Sequence, residues 1–130
     1  MPIQATSAVA LFQVYDMRKS VAWYCDTLGF DLLQKHEPDG HLYWALLKLG
    51  DAKVMLNSRF EDDQRPAQPP PQTGHSDVAI YFSCANVDQA YEILRQKIPS
   101  LKPPKVTYYR MKQLTITDPD GFDICFQQPA

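Results

Sequence analysis

Three histidines and three cysteines carry most of the chemistry open to this chain: His36, His41 and His75, and Cys25, Cys84 and Cys125. Histidine titrates near neutrality and serves as a base or a metal ligand. His36 and His41 flank the turn sequence Pro38-Asp39-Gly40, so their position reads first as a solvent-exposed hairpin and second as a catalytic base. The cysteines are odd in number and scattered. They read as reduced, mostly buried thiols of an intracellular protein, not as a zinc ligand set or a disulfide frame. Glu61-Asp62-Asp63 reads as a solvated face. The sequence holds no Ser-His-Asp arrangement, phosphate loop or paired carboxylates on facing strands.

The elements that must position these side chains come in two rounds. Ala8 to Tyr15 is a short apolar run with β-branched residues, expected to be a strand. Asp16 is a helix cap, and Val21, Tyr24, Cys25 and Leu28 recur at helical spacing before Gly29 ends the helix. Phe30 to Lys35, Leu42 to Leu49 and Lys53 to Asn57 then read as strands. The order is βαβββ. It returns with a strand at Val78 to Phe82, a cap at Asn86, and an apolar helical stripe of Val87, Ala90, Tyr91, Leu94 and Ile98 that ends before Pro99. Lys105 to Met111, Leu114 to Thr117 and Phe122 to Gln127 supply the last strands, and Asp118-Pro119-Asp120-Gly121 turns between the final two. Such repetition over nearly the whole chain is a strong organisational signal.

Composition sets the outer limits. A chain of 130 residues that is 45% hydrophobic and 22% charged can bury a core without disulfide or metal staples. The proline-rich, polar run from Glu61 to Gly74 is a linker. The expected organisation is one domain over 1–130, with a first module at about 6–60, the linker at 61–74 and a second module at about 75–130. A net charge of −2 with no basic run argues against nucleic-acid binding. No apolar stretch reads as a signal peptide or a membrane span, so a cytoplasmic protein is expected.

The stretch from Asp16 to Phe30 (DMRKSVAWYCDTLGF) resembles the first-module signature of the vicinal oxygen chelate superfamily, which includes glyoxalase I, bleomycin-resistance proteins and extradiol dioxygenases. Asn86-Val87-Asp88-Gln89-Ala90-Tyr91 is similar to its second-module helix start, and Ile116 to Phe122 (ITDPDGF) to its terminal hairpin. The resemblance implies an α+β fold, the glyoxalase/bleomycin-resistance-like arrangement of two βαβββ modules forming curved sheets around a cleft. It also implies a homodimer.

Enzymes of that superfamily hold a divalent metal through His, Gln or Glu on the first and last strand of each module. The resemblance places those positions at Val9 and Ala79, counted back from the two caps, at Cys125 after the hairpin glycine, and near Met55, with Asn57 next on the same face. Val9, Met55, Ala79 and Cys125 together cannot hold a hard divalent cation, so no metal and no other cofactor is expected. His75 lies four residues before Ala79, roughly 13 Å along a strand, too far to replace it. Cys125 is read as a small apolar filler and not a nucleophile, because no His, Lys or Arg is evidently placed to activate it.

Alternation from these positions gives the cleft Leu11 and Gln13 in the first strand, Tyr81 and Ser83 in its counterpart, and Asp123 and Gln127 beside Cys125. Of Tyr43 and Trp44 one should face inward, and Tyr108 and Tyr109 pose the same choice. The candidate ligand-binding set is therefore Val9, Leu11, Gln13, Tyr43, Trp44, Met55, Asn57, Ala79, Tyr81, Tyr109 and Cys125, with no catalytic residue. Apolar and aromatic surface with sparse polar groups suits a small, flat or amphipathic organic molecule. The expected function is metal-independent binding of a hydrophobic or aromatic drug or metabolite, as in the bleomycin-resistance branch. Two alternatives stand beside it: a metal-dependent glyoxalase, epimerase or dioxygenase with atypical ligands, and a non-catalytic interaction or regulatory domain.

Overall fold

The structure, a computed structural model, describes residues 2–61, 63–70, 75 and 77–130. The chain divides into two compact units, Met1–Arg65 and Pro66–Ala130. Of the expected linker, Asp62 and residues 71–74 lie outside the described residues.

The first unit runs β1 (Ala10–Val14), α1 (Met17–Ala22), β2 (Asp31–His36), β3 (Trp44–Leu49) and β4 (Ala52–Ser58). Its sheet has the order β1-β4-β3-β2, with β1 parallel to β4 and the other neighbours antiparallel. Alternation decides which face is covered. Phe12, Val14, Ala45, Leu47, Val54 and Leu56 are all buried, and α1 packs against β4 on that side. Leu11 is 49% exposed on the other side.

Asp16 is the cap that the sequence predicts: its backbone is extended and its Oδ1 accepts from the Lys19 N–H at 3.2 Å. Such a cap stabilises a helix by about 1 kcal/mol. The helix then widens into a π-helical turn at Trp23–Thr27, where the Leu28 N–H reaches the Trp23 carbonyl at 3.4 Å. This wider turn rotates the apolar face. Tyr24 and Leu28 are buried as expected, but Val21 and Cys25 are only half-buried, and Met17 and Ser20 complete the stripe. At the end the Phe30 N–H bonds back to the Tyr24 carbonyl at 3.0 Å across Gly29, whose φ is +85°. That closure needs a left-handed residue, which explains Leu28-Gly29-Phe30.

The second unit runs β5 (Ala79–Ser83), α2 (Val87–Leu94), β6 (Lys105–Val106), β7 (Met111–Thr117) and β8 (Asp123–Pro129). Its sheet has the order β5-β8-β7-β6, with β5 parallel to β8. Asn86 caps α2 by accepting from the Gln89 N–H at 3.0 Å. The helix packs Val87 and Leu94 toward β7 and β8, over a core of Phe82, Leu114, Ile116, Ile124 and Phe126. It stops at Leu94, short of Ile98, and a series of tight turns carries the chain to Leu101.

The units differ most in their second strand. In the first unit β2 pairs with β3 from His36 to Asp31, with one irregularity at Leu33. In the second, the expected strand from Lys105 to Met111 shrinks to Lys105–Val106, paired only with Gln113 and Lys112. Two local features account for this. Pro103 and Pro104 have no N–H to donate, so the ladder cannot extend backward through them. Forward, the Thr107 Oγ1 accepts from the Met111 N–H at 3.1 Å and Arg110 takes a φ of +66°, which folds Thr107–Arg110 into a turn.

Candidate functional site

Residues opposite one another in a strand ladder share a sheet face, so the registers fix what each unit presents on its helix-free face. In the first unit Gln13, Asn57, Trp44 and His36 form one row across the sheet. Leu11, Met55, Leu46 and Gln34 form the next. Val9, 37% exposed just before β1, continues the alternation of Leu11 and Gln13. The structure thus brings Val9, Leu11, Gln13, Trp44, Met55 and Asn57 to one face.

Tyr43 is not brought there. It precedes β3 on the side of Ala45, its N–H donates to the His36 carbonyl at 2.9 Å, and its carbonyl accepts from the Ser58 N–H at 2.8 Å. Its ring stands 6.4 Å from that of His36 and 6.2 Å from that of His41. The inward member of the Tyr43/Trp44 pair is Trp44. Both histidines are exposed, in keeping with the hairpin reading. Nearby, bonds from Lys35 and then Arg18 hold the Glu37 carboxyl below the usual glutamate range.

In the second unit the rows are Ser83, Gln127, Gln113 and Lys105, then Tyr81, Cys125 and Thr115, then Ala79, Asp123 and Thr117. Hydrogen bonds knit the first row: Gln113 Nε2 donates to Gln127 Oε1 at 3.1 Å and to the Tyr109 hydroxyl at 3.0 Å. The Thr117 hydroxyl donates to Asp123 Oδ1 at 3.2 Å. Tyr109 thus reaches the set, while Tyr108, 96% exposed, packs edge-on against its ring.

Cys125 sits on the expected face but is only 3% exposed, between Tyr81 and Thr115. Burial pushes its thiol up, against opposing hydrogen bonds from Thr115 and Leu114. A thiol so placed stays protonated at neutral pH and is a poor nucleophile. Cys25 is likewise raised, by burial and then by the Asp26 and Asp31 charges.

The four positions at which the resemblance would place metal ligands hold Val9, Met55, Ala79 and Cys125. Two are hydrocarbons, one is a thioether and one a buried, protonated thiol, so the donor set does not fit a hard divalent cation. Among the described residues no group of three or more His, Cys, Asp or Glu side chains is placed to hold a metal ion. No described helix is long and apolar enough to cross a membrane.

The sequence reading missed a pocket. Where β6 fails to continue, residues of the segment from Ile98 to Pro103 and Thr115–Thr117 of β7, with Lys105, Val106, Thr107, Tyr108, Tyr109 and Gln113, line a half-open pocket of about 760 Å³. That volume lies within the few hundred to about 1,000 Å³ usual for small-molecule sites. The Pro103-Pro104 pair was the available signal, because it forbids a long β6 and so leaves β7 uncovered.

Residues 7–126 match the family model described as the Glyoxalase/Bleomycin resistance protein/Dioxygenase superfamily. No curated protein matches the chain. Among solved structures it is similar to TioX from Micromonospora sp. ML1, with 19% identity and a TM-score of 0.72 over 97% of this chain and 100% of that one. It is also similar to TnmS3, an antibiotic binding protein from Streptomyces sp. CB03234, with 27% identity and a TM-score of 0.67 over 98% and 100%. A glyoxalase/bleomycin resistance protein/dioxygenase from Nocardioides aligns with 18% identity and a TM-score of 0.70 over 98% of this chain and 85% of that one. With the family match spanning both βαβββ units, the chain belongs to the glyoxalase/bleomycin resistance protein/dioxygenase superfamily.

Proposed function

We propose that this protein binds a hydrophobic or aromatic drug or metabolite without a metal and sequesters it unchanged. The carrying observation is the helix-free face of each sheet, where apolar and aromatic side chains stay uncovered beside hydrogen-bonding amides. Leu11 is 49% and Tyr81 53% exposed in the middle of their strands, next to Met55 and Trp44 in one unit and to the bonded glutamines in the other. Sites of that composition hold small organic molecules by area and orient them by a few polar groups. The donor-poor set Val9, Met55, Ala79 and Cys125 supports binding without metal chemistry, and an antibiotic binding protein among the similar structures supports the ligand class.

The test is a thermal-shift screen of aromatic drugs and metabolites, followed by calorimetry. A specific ligand raises the melting temperature by mass action. Trp44→Ala and Tyr81→Ala should each weaken the best hit by about tenfold, the equivalent of about 1.4 kcal/mol of lost contact. Unchanged affinity in both variants would move the site elsewhere. Stoichiometric nickel, zinc, iron or manganese in the purified protein, together with turnover of a hit, would replace the reading with a metalloenzyme.

The protein is further proposed to act in the cytoplasm, where the free Cys25, Cys84 and Cys125 stay reduced, and to act as a homodimer. Exposed apolar side chains on strands support a second copy: Leu32 and Leu33 on the edge strand β2 are 41% and 46% exposed. Sedimentation equilibrium should give twice the chain mass, and a monomer at micromolar concentration would refute the dimer.

A further inference from the structure

We propose that the pocket of the second unit selects a small organic anion, an aromatic or amphipathic body carrying a carboxylate. The pocket adjoins the uncovered face of the second sheet through Gln113 and Thr115 but is lined by neither Trp44 nor Tyr81, so this goes beyond the binding reading above and gives the pocket a ligand class of its own.

The charge of the lining points to an anion. Lys102 and Lys105 line the pocket, and no Asp or Glu does. The chain as a whole is acidic, with a net charge of −2, so this local excess of cations is not a general property of its surface. Neither lysine takes part in an ion pair among the described residues. The neighbouring Lys112, by contrast, is held by Asp88 at 2.8 Å on the α2 side of the sheet.

The hydrogen-bond inventory points the same way. In the row Lys105, Gln113, Gln127 and Ser83, Gln113 Nε2 is the donor in both side-chain bonds, to Gln127 Oε1 and to the Tyr109 oxygen. Among the members of this row and its Tyr109 partner that line the pocket, the Tyr109 proton and the three Lys105 N–H bonds remain to be given, against the single side-chain amide oxygen of Gln113. Donors outnumber acceptors, and the complement of a donor-rich row is an acceptor-rich group such as a carboxylate.

The rest of the lining supplies the body's site. Ile98, Leu101, Pro103 and the two tyrosine rings are apolar walls. They matter because the lysines are exposed: a solvated ammonium holds a simple ion weakly, whereas burial of an aromatic body beside it adds area-dependent binding. The pocket thus discriminates against inorganic anions, which lack the body, and against cations, which the lysines repel.

The experiment uses three probes of one shape and different charge: naphthoate, naphthamide and naphthylmethylammonium, titrated calorimetrically into the full chain. Naphthoate should bind about tenfold tighter than naphthamide, with an advantage that shrinks as salt is added. The cation should bind most weakly. In the Lys102→Gln/Lys105→Gln double variant the advantage of naphthoate over naphthamide should vanish while the melting temperature stays as it was. Both positions are exposed, so the variant has little reason to misfold. Equal affinity for naphthoate and naphthamide, preference for the cation, an advantage that survives the double variant, or no binding of any probe would each overturn the anion proposal. The binding reading itself is judged separately, by the drug and metabolite screen and the Trp44 and Tyr81 variants.

Discussion

Replacing Tyr24 with alanine should lower the stability of the protein by about 3–5 kcal/mol, the range for removing a fully buried aromatic side chain. Tyr24 has no exposed surface, and it lies edge-to-face against Trp23 at 5.0 Å and Phe30 at 5.4 Å. Neighbours that could slide into the gap are held in place. Phe30 is pinned by its N–H bond to the Tyr24 carbonyl across Gly29, and Trp23 belongs to the same π-helical turn. The cavity should therefore stay largely open, which puts the loss near the upper end. Urea denaturation reads the effect as a fall in midpoint at unchanged slope. A loss under about 1 kcal/mol would mean that the turn repacks. The ring lies on the helix side of the sheet, away from Leu11 and Trp44, so ligand affinity below the unfolding transition should be unchanged.

The second large effect is expected at Asp118, a carboxylate only 4% exposed at the end of β7. Its Oδ1 accepts from the N–H groups of Asp120 and Phe122, each at 2.9 Å. These bonds shape the turn that aims β8, and β8 carries Asp123, Cys125 and Gln127. Asp118→Ala strands two backbone donors in a part-buried site and removes two charge-assisted bonds, a loss of about 3 kcal/mol. Asp118→Asn keeps an acceptor oxygen and should recover more than half of it. Equal loss in the two variants would show that the carboxylate's charge matters and not its bonds to the turn. Because Gln127 is held by Gln113 in the adjacent strand, Asp118→Ala should also weaken ligand binding in the second unit, whereas Tyr24→Ala should not.

Much of the fold was legible because it rests on local rules. Asp16 and Asn86 cap their helices as side-chain acceptors must, and strict alternation sorted Phe12 and Val14 from Leu11 and Gln13. The π-helical turn was not legible, since apolar spacing cannot distinguish a wide turn from an ordinary one when Tyr24 and Leu28 are buried either way. The short β6 was misread for a different reason. Val106, Thr107, Tyr108 and Tyr109 all favour strands, and the preference lost to a proline pair behind and a left-handed Arg110 ahead. Alternation put Cys125 on the same face as Tyr81 but could not show that its thiol is almost fully buried there. The pocket was hidden because it arises where a strand fails to form, and a reading that draws the strand fills the space.

The outer edge of β7 beyond Gln113 raises a different matter, that of keeping molecules apart. Backbone groups at an uncovered strand edge offer a template on which another chain can add, the first step toward aggregates. Here the bordering segment carries Pro103 and Pro104, which cannot extend a ladder, and Lys102 and Lys105, whose charges repel a second copy of the same edge. The residues that give the pocket its wall and its charge are thus also the guards of the exposed edge. Selection or engineering that swaps them for a snugger, more apolar lining would loosen that guard, so ligand preference and colloidal stability in this protein are set by the same few positions.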